Sequence, residues 1–345
     1  MPDSTPDAIA AALAHWPSDA ARRLAETIRR HAGTGAYAVF DMDNTLYRND
    51  IEEALLPFLE AREIVTRETM DPSLAVVPFA DEDGRRESLV GYYYRLCEID
   101  DKVGYPWLAQ IFAGLKVGDL AGHVAALLGS DEPLVATRFA GGRWIEEEIH
   151  RPAIFPAMVE LVAALRAHDI AVYIVSAAHE ELARVIGCDP VYGFGLPAEN
   201  VIGVSTLLKD RAAGTVTTAR KLMAEGLYHP DAVRDLELTA TLWTPTTWMS
   251  GKVAAVREYI DLWRKAVVVA GDSPASDGYM LLQNVDIEQG GQRIWVDRSP
   301  VHRSALERQW IAPAAARQAA LGEPVTADRN WIFVTPDALF VRAAA

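Results

Sequence analysis

The chain has 345 residues, 50% of them hydrophobic and 23% charged, enough to bury a sizeable core in one large domain or two modest ones. A formal net charge of -15 with no Lys/Arg cluster excludes a nucleic-acid role, because phosphate backbones call for a basic stripe. Cys97 and Cys188 form no C-x-x-C pair, which excludes a disulfide framework and a structural zinc site, and no run of about 18 apolar residues offers a membrane span.

At the N-terminus, Met1 to Asp7 lacks a basic n-region, and Ala8 to Leu13 is too short and too weakly apolar for an export signal, so a cytoplasmic protein is expected. Ile9, Leu13, Trp16, Leu24 and Ile28 keep helical spacing and Pro17 interrupts it, which predicts two short helices packed on the sheet that follows. Ala36 to Phe40 is a continuous apolar run, the pattern of a buried parallel strand, and it stops at Asp41-Met42-Asp43-Asn44-Thr45. From Arg48 to His150 helical periods dominate, at Glu52 to Ile64, Ser88 to Ile99 and Leu120 to Leu128, with no convincing buried strand. This stretch reads as an inserted helical module.

The sheet pattern resumes with a helix at Pro156 to Ala167 and a strand at Ile170 to Val175 that stops at Ser176. A helix at His179 to Val185 and a strand at Asn200 to Val204 follow, and Ser205 to Thr218 predicts a hairpin around Asp210-Arg211-Ala212-Ala213-Gly214. Next come a helix from Lys252 to Trp263, a strand at Val267 to Ala270 that stops at Gly271-Asp272, a helix at Ala275 to Gln283 and a strand at Arg293 to Val296. Ala312 to Ala320 is a plain helix. Alternating strands and helices imply right-handed βαβ units, so the predicted fold is α/β, with a Rossmann-like parallel sheet. The core takes residues 1–48 and 150–345, with a hairpin or flap at 205–245, and a helical cap takes 49–149.

Three apolar runs thus end in polar residues, and open α/β sheets bind ligands beyond the carboxyl ends of their strands. Two aspartates two residues apart suit phosphoryl transfer, with Asp41 attacking phosphorus and Asp43 protonating the leaving oxygen before activating water. Asp41, the carbonyl of Asp43 and Asp272 form the hard-oxygen set that Mg²⁺ prefers, with Mn²⁺ and Zn²⁺ as alternatives. Thr45, Ser176 and the backbone amides from Asn44 and Ala177 are donors for phosphate oxygens, and Lys252 neutralises charge on them. Asp277 orients Lys252 or a metal-bound water. The scattered histidines form no i, i+4 ligand pair, which leaves a zinc hydrolase without support.

In their order, Asp-x-Asp-x-Thr, then Ser, then Lys, then Gly-Asp-x-x-x-x-Asp, these residues resemble the haloacid dehalogenase superfamily of phosphohydrolases. Asp43 implies hydrolysis, since that superfamily's dehalogenases lack the second aspartate and its P-type ATPases carry a threonine there. The insertion after the first motif resembles its cap. Asp41 to Thr45, Ser176 to Glu181, Gly271 to Asp277 and Tyr92 to Glu98 are similar to the bacterial phosphorylcholine phosphatase family. The resemblance implies a small phosphomonoester as substrate and choline as product, while the charge and the lack of an apolar span lead to no expected nucleic-acid or membrane partner. That family is generally exported, whereas no export signal is read here.

A quaternary ammonium neither donates nor accepts hydrogen bonds, so aromatic faces and carboxylates must hold it. Glu52, Glu53, Tyr92, Tyr93 and Tyr94 in the cap are the residues expected to do so. Consecutive helical residues point about 100° apart, so the three tyrosines cannot all face one ligand. Trp243, Trp248 and Trp144 with Glu146-Glu147-Glu148 are further candidates, although the glutamates also read as a solvated face. Arg85, Arg86 and Arg95 leave phosphoserine open, phosphoethanolamine is a second alternative, and a non-catalytic choline-binding protein is a third.

Overall fold

The computed structural model describes residues 5–82 and 84–342; the first four residues of the N-terminal segment lie outside it. Helix α1 (Pro6–Ala12) is capped by Thr5, and α2 (Ser18–His31) begins after Pro17. Ala20, Ala21, Leu24, Ala25 and Ile28 make one buried stripe on α2, the 3.6-residue period that drives its docking. Strand β1 (Tyr37–Phe40) is buried at every residue, and β2 (Tyr47–Arg48) pairs further on.

Helices α3 (Ile51–Glu60), α4 (Leu89–Ile99), α5 (Asp101–Gln110) and α6 (Val117–Leu128) follow. They precede an antiparallel hairpin, β3 (Leu134–Ala140) and β4 (Arg143–Ile149). A helical module with no convincing buried strand was expected between 49 and 149, and this largely unburied hairpin is an addition to it. Only the outer ends of the hairpin are buried, and Glu146-Glu147-Glu148 interrupts the alternation by which a half-buried strand is recognised. After β5 (Ala153–Ile154), paired with β2, the chain runs through α7 (Pro156–Ala167), β6 (Ala171–His179), α8 (Glu180–Cys188) and β7 (Val201–Val204).

Strands β8 (Thr206–Asp210) and β9 (Thr215–Thr217) form the expected hairpin, and β10 (Glu237–Leu242) adds to its other edge. Between them lie α9 (Ala219–Ala224) and α10 (Pro230–Val233). The last part contains α11 (Ser250–Tyr259), β11 (Val268–Gly271), α12 (Pro274–Gln283), β12 (Gln292–Val296), α13 (Pro300–Ala305), α14 (Ala312–Ala320) and β13 (Trp331–Val334). Among the described residues no helix is long and apolar enough to cross a membrane.

Six strands form one parallel sheet in the order β13-β12-β11-β1-β6-β7. From β1 the chain fills one side with β6 and β7, then crosses to β11, β12 and β13 on the other. The order therefore reverses beside β1, and the crevice at the carboxyl ends of β1, β6 and β11 is where such sheets bind ligands. Residues 41, 176 and 272 lie along that rim.

Candidate active site

Past β1 the chain turns tightly. The Asp41 amide still donates to Ala270 of β11 at 3.0 Å, after which the Thr45 and Leu46 amides return to the Met42 carbonyl at 3.2 and 2.8 Å. Asn44 and Asn49 take the left-handed conformation, which asparagine tolerates better than most residues. Each closes the turn for the other: the Asn44 amide donates to the Asn49 carbonyl at 3.2 Å, and the Asn49 amide to Asn44 Oδ1 at 3.0 Å. The consequence is that Asp41 and Asp43 both line one cavity. Asp43 Oδ1 accepts from the Tyr47 hydroxyl at 2.7 Å and from the Ile51 amide at 2.9 Å.

Beneath this turn Lys252 is fully buried, with Nζ donating to Asp41 Oδ1 and, at 2.6 Å, to Asp277 Oδ1. Asp277 Oδ2 accepts the Asp272 and Ser273 amides, each at 2.9 Å, so one carboxylate fixes the lysine and the loop carrying Asp272 together. Gly271 permits this approach, since a Cβ there would stand 2.7 Å from the Cβ of Asp277. Gly251 does the same at the start of α11, where a Cβ would meet the Thr246 carbonyl oxygen at 1.7 Å. Thr45 Oγ1 lies 3.3 Å from Asp41 Oδ2 and 3.4 Å from Asp272 Oδ1, bridging two strand ends. Ser176 is buried with Oγ accepting the Ala178 amide at 3.0 Å.

The cavity above has a volume of about 320 Å³. Carboxylates dominate its lining: Asp41, Asp43, Asp50, Glu52, Glu53, Glu147, Glu148 and Asp272, against the cationic Arg298. Burial raises the pKa values of Asp41, Asp43, Asp50, Glu52, Glu53 and Asp272. Burial, then Asp277, pushes Asp41 up to about 6 against the pull of Lys252. Burial and Asp50 hold Asp43 well above the usual carboxylate range, and burial does the same for Asp272 despite Arg298 beside it. Burial also disfavours the charged form of Lys252, but Asp277 and Asp41 outweigh it and keep the ammonium protonated.

Asp41, Asp272 and Asp277 present carboxylate oxygens that all lie within 4.8 Å of one another. The oxygens of Asp277 are taken by the Lys252 ammonium and two backbone amides, whereas Asp41 Oδ2 and Asp272 Oδ1 meet the Thr45 hydroxyl at the longer distances of 3.3 and 3.4 Å, so Asp41 and Asp272 are the carboxylates better placed to turn an oxygen to a cation. Hard oxygens and an excess of buried negative charge fit a divalent ion of the Mg²⁺ type.

Of the residues expected from the sequence, Asp41, Asp43, Asn44, Glu52, Glu53, Tyr93, Tyr94, Ala177 and Asp272 line the cavity. Thr45, Ser176, Lys252 and Asp277 are buried directly behind it. Tyr92 is the exception. It points into the core against Phe79 and Trp107, with ring centroids 4.3 and 5.2 Å away, and its hydroxyl exchanges hydrogen bonds with Val77. Glu52 Oε1 accepts the His179 amide at 2.8 Å, whereas Glu53 Oε2 accepts the Tyr94 hydroxyl at 3.0 Å.

Glu147 and Glu148, read as a solvated face, also line the cavity, while Glu146 faces Arg85 at 3.6 Å. Trp144, Trp243 and Trp248 do not belong to the lining. Arg85, Arg86 and Arg95 pair with Glu146, Glu68 and Glu87 and leave the cavity without the carboxylate anchor they were read to offer. Sequence reasoning missed Asp50, Tyr105, Ser273, Ser276 and Arg298. Arg298 stands two residues past the end of a buried strand, the same rule that located Asp41 and Asp272.

No family model matches the chain. It is 50% identical over 330 residues to the phosphorylcholine phosphatase of Pseudomonas aeruginosa, covering 96% of this chain and 94% of that protein. Among solved structures, a conserved protein of unknown function from Anaerococcus prevotii aligns with a TM-score of 0.58 at 18% identity, over 88% of this chain and 90% of that one. That likeness concerns the fold alone.

Proposed function

From the premise that the chain belongs to the phosphorylcholine phosphatase family and is a phosphoric monoester hydrolase, we propose that it hydrolyses phosphorylcholine to choline and phosphate through a phosphorylated Asp41. One observation carries the substrate assignment. The strand-end aspartates line one cavity together with Tyr93, Tyr94, Tyr105 and Glu53, a set of aromatic rings and charge suited to a quaternary ammonium. We read residues 1–48 and 150–345 as a core of the haloacid dehalogenase type and residues 49–149 as its cap, a reading supported by the parallel six-strand sheet and by the helices between β2 and β3.

Asp41, with Oδ1 held by Lys252, attacks phosphorus through its other oxygen. Asp43 carries its proton on Oδ2, because Oδ1 already accepts two hydrogen bonds and burial favours the protonated form. That proton goes to the ester oxygen of departing choline, and Asp43 then takes one from the water that frees phosphate. Asp41 and Asp272 would hold Mg²⁺, whose charge offsets repulsion between an anionic nucleophile and an anionic phosphate. Thr45 and Ser176 fix the carboxylate and the loop beside it.

Comparing kcat/KM for phosphorylcholine, phosphoethanolamine and phosphoserine with Mg²⁺ tests the assignment. Phosphorylcholine is expected to lead and phosphoserine to be poorest, since the arginines read as its anchors are engaged elsewhere. Preference for phosphoethanolamine would reassign the aromatic wall, and absence of turnover on all three would leave a binding protein.

A further inference from the structure

Everything that lines the cavity near the strand ends is acidic or neutral except Arg298. A phosphate dianion entering there meets Asp41, Asp43, Asp50 and Asp272. Lys252 is fully buried and divides its protons between Asp41 and Asp277, so it is not presented to an incoming ligand. Arg298 is placed differently. It lies on the loop between β12 and α13, donates through Nε to Asp272 Oδ2, and keeps 35% of its side chain accessible. Asp272 is the carboxylate it pairs with among the described residues, which leaves its two terminal amino groups available. Its charge reaches Asp272, Asp50 and Glu53, where it opposes the burial that raises all three carboxyls.

A guanidinium held through Nε presents its remaining donors as a planar fork, the shape that matches two phosphate oxygens. The same charge repels a trimethylammonium group. At the strand ends it adds to the charge of any cation held by Asp41 and Asp272, so it disfavours entry of the substrate with the ammonium first.

We propose that Arg298 binds the phosphoryl group of the substrate through its terminal amino groups and sets the direction in which the substrate lies, phosphate at the strand ends and ammonium beneath the tyrosines. Its bond to Asp272 makes that carboxylate the positioning partner of the fork. The inference rests on the phosphatase reading and extends it to a residue outside the motifs that suggest it.

The test uses inorganic phosphate and choline as separate inhibitors of p-nitrophenyl phosphate hydrolysis by wild-type enzyme, Arg298→Gln and Arg298→Lys. Loss of a charged hydrogen-bonding pair weakens phosphate roughly tenfold to a hundredfold in Arg298→Gln, while choline inhibits as well as before or better. Arg298→Lys, with the charge and without the fork, falls between. Unchanged phosphate inhibition in both variants overturns the proposal, and so does an equal loss for phosphate and choline, which marks a structural role. If wild-type enzyme turns over p-nitrophenyl phosphate but is not inhibited by choline, the choline reading fails while the phosphate comparison still decides the role of Arg298.

Discussion

Glu53→Gln removes a carboxylate that the fold holds in an uncomfortable state. Burial first, then the neighbouring Asp50, pushes the Glu53 pKa from 4.5 up to about 8, opposed by the Tyr94 hydroxyl and by Arg298. The folded chain therefore keeps a proton that the unfolded chain releases, and stability tied to this group is complete below pH 4.5 and lost as pH rises through about 8. At 1.36 kcal/mol per tenfold, that displacement sets a ceiling of roughly 5 kcal/mol. Water in an open cavity screens the charge, so roughly 1–3 kcal/mol is the expected effect. Glutamine keeps the shape without the titration. Thermal unfolding followed by circular dichroism from pH 5 to pH 9 should find wild type and Glu53→Gln alike at the acid end and the variant more stable at the alkaline end. Choline should also bind wild type more tightly as pH rises, because a quaternary ammonium favours ionised Glu53, and the variant should lose that dependence. A difference in melting temperature that is the same at pH 5 and pH 9 would refute the reasoning.

Two further substitutions separate the core from the wall. Gly271→Ala places a methyl group 2.7 Å from the Asp277 carboxyl carbon and should displace the carboxylate that holds Lys252, so kcat should fall with KM little changed, checked by steady-state kinetics. Tyr105→Leu removes one aromatic face from the cavity and should raise KM for phosphorylcholine roughly tenfold, leaving p-nitrophenyl phosphate unaffected in parallel assays.

The ends of β1 and β11 were legible in the sequence because buried parallel strands are unbroken apolar runs, and Asp41 and Asp272 each follow one, whereas β6 does not stop at Ser176 as expected but continues through a register shift to His179. Lys252 was legible only by its order between Ser176 and Asp272, as its own helix start is unremarkable. What periodicity conceals is direction. On α4 the neighbours Tyr92 and Tyr93 part company, one into the core and one into the cavity, and that division depends on where Phe79 and Trp107 pack. Tyr105 arrives from α5, a helix that the sequence reading did not separate from its surroundings. The β3–β4 hairpin was hidden because three consecutive glutamates break the alternation, yet two of those glutamates reach the cavity. The edge strand β13 was missed for a different reason. Its four residues stand alone between loops, with Phe333 exposed.

The most direct test of the account is whether Asp41 carries the phosphoryl group. Asp43→Asn removes the acid and the base, so p-nitrophenyl phosphate, whose leaving group needs no proton, should phosphorylate Asp41 and stop there. Rapid mixing should release one equivalent of nitrophenolate per chain in a burst, and peptide mass spectrometry should find one phosphoryl group on the peptide bearing Asp41. Steady hydrolysis without a burst, or a phosphoryl group on any other residue, would contradict it.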